Sequence, residues 1–368
     1  MNHPFTEKAL RKPRILVAPL NWGLGHATRC IPLIRELIHQ QAEVWMAAEG
    51  AQEKLLRAEF PAMPVLNLPG YRIEYPKIGG LMPVKMLLQA PRLLKSIDAE
   101  HNWLKEKVLE YRFDGIISDN RFGLYNETVP SVFITHQLQV KARFQWMEEI
   151  LRKRNYSFIE KFSECWIPDN EGSNSLAGIL SHPKTKPAIP VHYIGLLSRF
   201  KKINVEEKKD HLLCMLSGPE PQRTIFEELV MQQLKSWPHT ATVVRGLPGD
   251  STEIQSGTNV TIFNHLPAEK LNQEIAIAEF VIARSGYSSV MDLLLQNKKT
   301  ILVPTPGQTE QIYLAKSLSE QQKIITSKQR SFSLTEMLER AGKFQYQLND
   351  PGANNIESVI RKFLSGLG

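Results

Sequence analysis

The chain has 368 residues, enough for about two domains of roughly 150 residues each, and 42% of it is hydrophobic, which excludes disordered and disulfide-scaffold classes. Lys and Arg number 45 against 38 Asp and Glu, a formal charge of +7 that favours anionic partners without requiring nucleic acid. Cys30, Cys165 and Cys214 fit no metal-ligand spacing and read as buried free thiols of a reducing compartment.

At the N-terminus, Lys8, Arg11, Lys12 and Arg14 precede an apolar run of only Ile15 to Leu20, too short for the central region of a signal peptide. No run approaches the roughly 18 apolar residues of a spanning helix, so a cytoplasmic enzyme is expected. Arg14 to Pro19 predicts the first strand, and a glycine-containing loop, Asn21 to His26, joins it to a helix over Ala27 to Gln40 with apolar Ile31, Ile34, Leu37 and Ile38. Val44 to Ala47, a helix near Ala51 to Glu59, Val65 to Leu68, Gly115 to Ser118, Val132 to Thr135 and Cys165 to Pro168 continue the alternation. Such alternation implies a parallel sheet covered on both faces. A Pro- and Lys-rich stretch, Ser181 to Pro190, and a polar one, Arg199 to Asp210, mark the linker. The pattern then restarts with strands at His211 to Ser217, Ala241 to Arg245, Val260 to Phe263, Phe280 to Ala283 and Thr300 to Val303, and with helices running to Lys235 and starting near Pro267, Gly286 and Thr309. A last helix, Asn355 to Leu367, follows a loop with Pro351 and Gly352 and is free to pack elsewhere. The expected fold is α/β, with two Rossmann-like domains (1–195 and 196–350) and a C-terminal helix (351–368) that could return to the first domain.

Asn21-Trp-Gly-Leu-Gly-His-Ala-Thr28 is a glycine loop between strand and helix, and the helix start offers unpaired N–H groups and a positive dipole end. It is not the dinucleotide fingerprint: Thr28 stands at the third glycine position after Gly23 and Gly25, and no acidic residue ends the second strand before Glu49. His26 at the helix start is a candidate general base, because neutral imidazole can take a hydroxyl proton near neutral pH. Asp119, at the carboxyl end of another strand, could orient that imidazole, with helix capping as the competing role. His136 likewise ends a strand. In the second half, Ile282 to Asp292 passes from strand through a glycine turn to a helix, gathering Ser288 and Ser289 with local N–H groups as a diphosphate requires, with Asp292 one turn on, where it could take the two hydroxyls of a ribose. Glu310 and Gln311 follow the next strand and suit sugar hydroxyls, and Ser217-Gly218 forms a second phosphate-adjacent turn.

Arg284-Ser-Gly-Tyr-Ser-Ser-Val-Met-Asp292 resembles the donor-binding signature of GT-B glycosyltransferases, and Glu310-Gln311 their acidic-amide pair. Gly-His in the first loop, Thr135-His-Gln137, Arg284-Ser-Gly286, and Pro304-Thr-Pro306 followed by Gln311 and Tyr313 are similar to the bacterial lipid-intermediate N-acetylglucosaminyltransferases of peptidoglycan synthesis, a family 28-like group. The resemblance implies a GT-B architecture. It also implies inverting transfer of a sugar from a nucleotide diphosphate, UDP-N-acetylglucosamine being the leading donor, to a hydroxyl of a lipid-linked or envelope glycan acceptor. Asp292 would hold ribose, Ser288 and Ser289 the diphosphate, and Glu310 and Gln311 the sugar; Arg284 would support the phosphates or form a structural ion pair, with Ser285 and Gly286 in the same donor loop. His26 would deprotonate the acceptor with Asp119 behind it, and Gly23, Gly25 and His136 would line the acceptor side. No Asp-x-Asp occurs, so no metal and no cofactor beyond the nucleotide sugar is expected, and no nucleic acid partner.

The chain departs from that family at Leu24 within Gly-Leu-Gly-His, and at Asp292, Ile312 and Ala315, so donor sugar and acceptor do not transfer with the resemblance. Gly25-His-Ala-Thr-Arg-Cys30 also resembles the first loop of nucleotide-sugar hydrolases of nonulosonic acid pathways, and a non-catalytic sugar binder would share the two-domain form. Between Tyr71 and Lys95, Arg72, Lys77, Lys85, Arg92 and Lys95 stand against the single acid Glu74, interleaved with Ile78, Leu81, Met82, Met86, Leu87, Leu88 and Leu93. This combination suits an anionic membrane face, with a core-packed helix as the alternative. Arg152-Lys-Arg154 reads as solvated surface.

Overall fold

A computed structural model describes residues 11–71, 82–142, 144–172, 174–247, 253–255, 259–348, 352 and 354–367, with the backbone alone for 82–90 and 253–255. Lys8, the 72–81 part of the basic stretch, the side chains of Met82, Lys85, Met86, Leu87 and Leu88, and Pro351 lie outside that description.

The first domain runs β1 (Arg14–Pro19), α1 (Gly25–His39), β2 (Glu43–Ala48), α2 (Gly50–Glu59), β3 (Val65–Asn67), α3 (Met82–Tyr111), β4 (Gly115–Asp119), β5 (Ser131–Ile134), α4 (Gln145–Ile159), β6 (Glu164–Ile167) and β7 (Val191–Tyr193). Its seven strands pair in the order β3-β2-β1-β4-β5-β6-β7, all parallel. Every residue of β4 and β5 is buried, as the central strands of a sheet covered on both faces must be. The second domain runs β8 (Lys208–Met215), α5 (Gln222–Leu234), β9 (Ala241–Val244), β10 (Glu253–Gln255), β11 (Val260–Phe263), α6 (Ala268–Ile277), β12 (Ala278–Ala283), α7 (Tyr287–Leu295), β13 (Lys299–Leu302), α8 (Thr309–Glu320), β14 (Ile325–Thr326) and α9 (Leu334–Lys343). Its order is β10-β11-β9-β8-β12-β13-β14, parallel except for the β10–β11 edge pair.

In both sheets the order reverses direction at the first strand of the domain, β1 and β8. The crevice at such a reversal, outside the carboxyl ends of the strands, is where open α/β sheets hold ligands. The loops after β1, β4, β8 and β12 all emerge there, and these loops carry His26, Asp119, Ser217 and Ser288 or lead directly into them.

α10 (Ile356–Ser365) leaves the second domain and packs on α1, burying Ile356, Ile360 and Phe363. Phe363 meets Trp166 of β6 edge-on at 5.5 Å, and the close fit leaves no room for a side chain at Gly115, where a Cβ would come within 2.9 Å of the Phe363 ring. Phe363→Ala should therefore cost about 3 kcal/mol through lost burial and an unfilled cavity, read as a lower midpoint in urea unfolding.

Candidate active site

The loop after β1 turns through Gly23, whose φ of +76° lies in the region that favours glycine, and delivers α1 with no side-chain cap on its first N–H groups. His26 occupies the first turn. Asp119, the last residue of the neighbouring strand β4, is fully buried, and its Oδ1 lies 3.1 Å from His26 Nδ1. Arg29, one helical turn beyond His26, donates from Nε to Asp119 Oδ2 at 2.7 Å and from Nη2 to Oδ1. The same guanidinium lies 2.9 Å from His26 Nδ1 and 3.2 Å from His136 Nδ1. Nδ1 of His26 is therefore shared between a carboxylate and a cation, while Nε2 has no protein partner among the described residues.

Burial would raise the Asp119 carboxyl, but the Arg29 guanidinium and then His26 reverse this and hold it well below the usual carboxylate range. His26 is pushed below the ordinary imidazole value by burial first. Asp119 opposes that shift, while Arg29 and His136 add to it. A neutral imidazole near pH 7 is the consequence.

On the second domain, α7 starts after Gly286 without a side-chain cap, and the Ser289 hydroxyl has no protein partner among the described residues. Ser288 Oγ donates to the Gly25 carbonyl at 2.9 Å, so the starts of α1 and α7 touch across the domain boundary. Arg284 is buried, and its guanidinium donates to the carbonyls of Gln222, Val303 and Pro304 and to Gln329 Oε1 at 2.7–3.4 Å, tying together three loops at the sheet edge. Ser285 Oγ donates to the Gln311 carbonyl, and the Gln311 side chain accepts from Thr305 N at 2.9 Å, fixing the loop before α8. Ser217 is half-buried and Gly218 exposed, with φ +110° at the glycine.

Glu310 reaches the other domain: Oε1 lies 2.7 Å from His136 Nε2, and Oε2 accepts from Gln137 Nε2. His136 also stacks on Tyr287 with centroids 4.1 Å apart, and the Tyr287 hydroxyl donates to the Pro168 carbonyl. Asp292 is buried and accepts from Ser198 Oγ at 2.5 Å, next to the charge of Arg199. The domain boundary thus brings His26, Asp119, His136, Gly25, Ser288 and Glu310 into one contact region, while the hydrogen bonds of Arg284 and Gln311 lie within the second domain. Arg29, Gln137 and Ser198 belong to this region although the motif reading assigned them no role. The three-residue spacing of His26 and Arg29 on one helix face was the signal for the first of them.

Burial pushes Asp292 up to about 6, against the opposing pull of Arg199 and Ser198. The folded state keeps a proton there that the unfolded chain gives up near pH 4, so stability falls as pH rises through that interval and stays lower above it. Asp292→Asn should consequently stabilise the fold by about 3 kcal/mol near pH 8 and by little near pH 4, at about 1.4 kcal/mol per unit, as measured by urea unfolding at both values.

The fold and the second half of the chain have counterparts among known proteins. Residues 224–362 match the glycosyltransferase family 28 C-terminal domain. A protein of Methanosarcina acetivorans described as an uncharacterized glycosyltransferase is 22% identical over 323 residues, 81% of each chain. Among solved structures, the calicheamicin glycosyltransferase CalG4 superposes with a TM-score of 0.62 at 12% identity, covering 97% of this chain and 94% of that one. SnogD from Streptomyces nogalater gives 0.61 at 12%, covering 97% and 96%, and MurG from Acinetobacter baumannii 0.52 at 11%, covering 96% and 99%. The chain has the two-domain GT-B fold, and residues 224–362 of its second half carry a glycosyltransferase family 28 C-terminal domain.

Proposed function

We propose that the enzyme inverts configuration as it moves a sugar from a nucleotide diphosphate, with UDP-N-acetylglucosamine the first donor to test, to a hydroxyl of a lipid-linked or envelope glycan. The observation that carries this reading is the contact of the two helix starts, Gly25 with Ser288, which sets an imidazole and an uncapped helix N-terminus on opposite sides of one boundary. His26 Nε2 takes the proton of the acceptor hydroxyl. That oxygen bonds to the anomeric carbon from the face opposite the diphosphate as the carbon–oxygen bond to the diphosphate breaks. The charge gathering on the departing diphosphate meets the N–H groups and dipole of α7 together with the Ser288 and Ser289 hydroxyls, and no metal is required at this step. Donor entry moves three side chains from protein to ligand contacts: Ser288 leaves Gly25, Asp292 leaves Ser198 to take ribose hydroxyls, and Glu310 leaves His136 and Gln137 to take sugar hydroxyls. Arg284 and Gln311 hold the loops that frame the site.

A lipid acceptor requires approach to a membrane. α4 supports that part of the reading: Trp146 and Ile150 are 64% and 57% exposed beside Arg152, Lys153 and Arg154. No helix among the described residues is long and apolar enough to cross a membrane, so the contact would be peripheral.

Incubation with a panel of UDP-sugars, with and without membrane lipid extract, tests the proposal. UDP release that rises with the extract supports transfer. Release that ignores the extract identifies a hydrolase, and binding without release identifies a sugar-binding protein. Co-sedimentation with anionic vesicles tests the membrane arm, and a Trp146→Ser, Ile150→Ser variant should lose it.

A further inference from the structure

We infer that Arg29 is a positioning residue of the transfer step: by neutralising Asp119 and bordering the Nδ1 atoms of His26 and His136, it presents His26 to the acceptor as an uncharged imidazole. This rests on His26 acting as the base. The groups facing His26 are Arg29 on its own helix α1, Asp119 at the end of β4, His136 after β5 and Glu310 on α8, with the Cys30 thiol donating to Asp119 behind them. Glu310 is already engaged by His136 and Gln137, so the charges that decide the state of His26 are those of Arg29 and Asp119.

An isolated, fully buried carboxylate 3.1 Å from Nδ1 would bind the imidazole as its counter-ion and keep it protonated, which removes the lone pair a base needs. Arg29 prevents this. Its fork takes both oxygens of Asp119, leaving a pair with no net charge. Oδ1 and an Arg29 N–H both face His26 Nδ1, at 3.1 and 2.9 Å, and the lone pair falls on Nε2 when Nδ1–H is donated to Oδ1. The depression of His26 by burial and by Arg29 accords with this geometry. Arg29 also links the two imidazoles, since a guanidinium N–H directed at His136 Nδ1 places the His136 proton on Nε2, where it meets Glu310.

Nuclear magnetic resonance titration of histidine-labelled full-length protein tests the assignment, with the His26 signal identified by its loss in His26→Gln. The wild-type midpoint should lie below the ordinary value of about 6.5. Arg29→Gln should raise it by about one to two units, Asp119→Asn should lower it, and the double variant should fall between the two. If Arg29→Gln does not fold, Asp119→Asn decides the matter alone, since loss of the carboxylate leaves the Arg29 cation unopposed. A His26 midpoint unmoved by either substitution overturns the proposal. In turnover, Arg29→Gln should lose about 10-fold near pH 7 and recover toward higher pH, whereas damage to packing alone would leave the acid limb where it was. His26→Gln separates the two claims: full turnover in that variant defeats the base assignment, while the midpoints still judge Arg29.

Discussion

Replacing His26 with glutamine should lower turnover by about 10²- to 10⁴-fold while leaving UDP affinity nearly unchanged, as read by steady-state kinetics and calorimetry side by side. Glutamine fills a similar space and can still reach Asp119, but it has no lone pair basic enough to accept the hydroxyl proton. The nucleotide contacts proposed on α7 lie on the other domain and do not involve this side chain. The pH profile carries a second expectation. With burial and Arg29 both depressing the imidazole, activity should hold to somewhat below the ordinary histidine value and then fall as His26 becomes protonated. A His26→Gln enzyme with wild-type turnover would remove the base from the mechanism.

Arg121→Met should destabilise the protein by about 3–5 kcal/mol near pH 8, measured by urea unfolding. Arg121 is fully buried and donates from Nε to Glu100 Oε1 at 2.7 Å, with further donations to the carbonyls of Pro19 and Pro69. Glu100 also accepts from the Tyr71 hydroxyl at 2.6 Å and from Gly123 N at 3.2 Å. Methionine would fill the volume but leave Glu100 charged and without its cation inside the fold. Burial already holds Glu100 above the usual carboxylate range, so the variant can relieve itself by taking up a proton. The loss should therefore shrink toward about pH 5, and a Glu100→Gln, Arg121→Met pair should recover part of it. The cluster braces the exits of β1 and β4, the two strands that lead to His26 and Asp119.

The alternation of strand and helix was legible because each buried parallel strand is a short apolar run. Arg14 to Pro19 and Val260 to Phe263 fall where those runs begin and end. β8 starts at Lys208, ahead of its apolar run, because the polar residues 208–210 still pair along the sheet, and β10 has an edge position that no apolar pattern announces. α4 and α9 escaped the reading, since exposed Trp146 and Ile150 blur the apolar stripe of the first and the second is a short helix at the domain's end. At the site, His26 and Asp119 could be paired because one opens the helix that follows β1 and the other ends β4, strands that a parallel sheet sets side by side. The bond of Ser198, in the segment between the domains, with Asp292, and that of Glu310 with His136 across the boundary, join residues 94 and 174 positions apart, and no local pattern encodes such a meeting.

The polypeptide crosses between the domains twice, once between Tyr193 and Lys208 and again between Lys343 and Ile356. Two crossings tether each half to the other at separate points of the chain. A single proteolytic nick in the first crossing should leave both fragments travelling together on gel filtration, held by α10 seated on α1 and Trp166. The carboxyl-terminal helix thus works as a strap that ties the second half to the first.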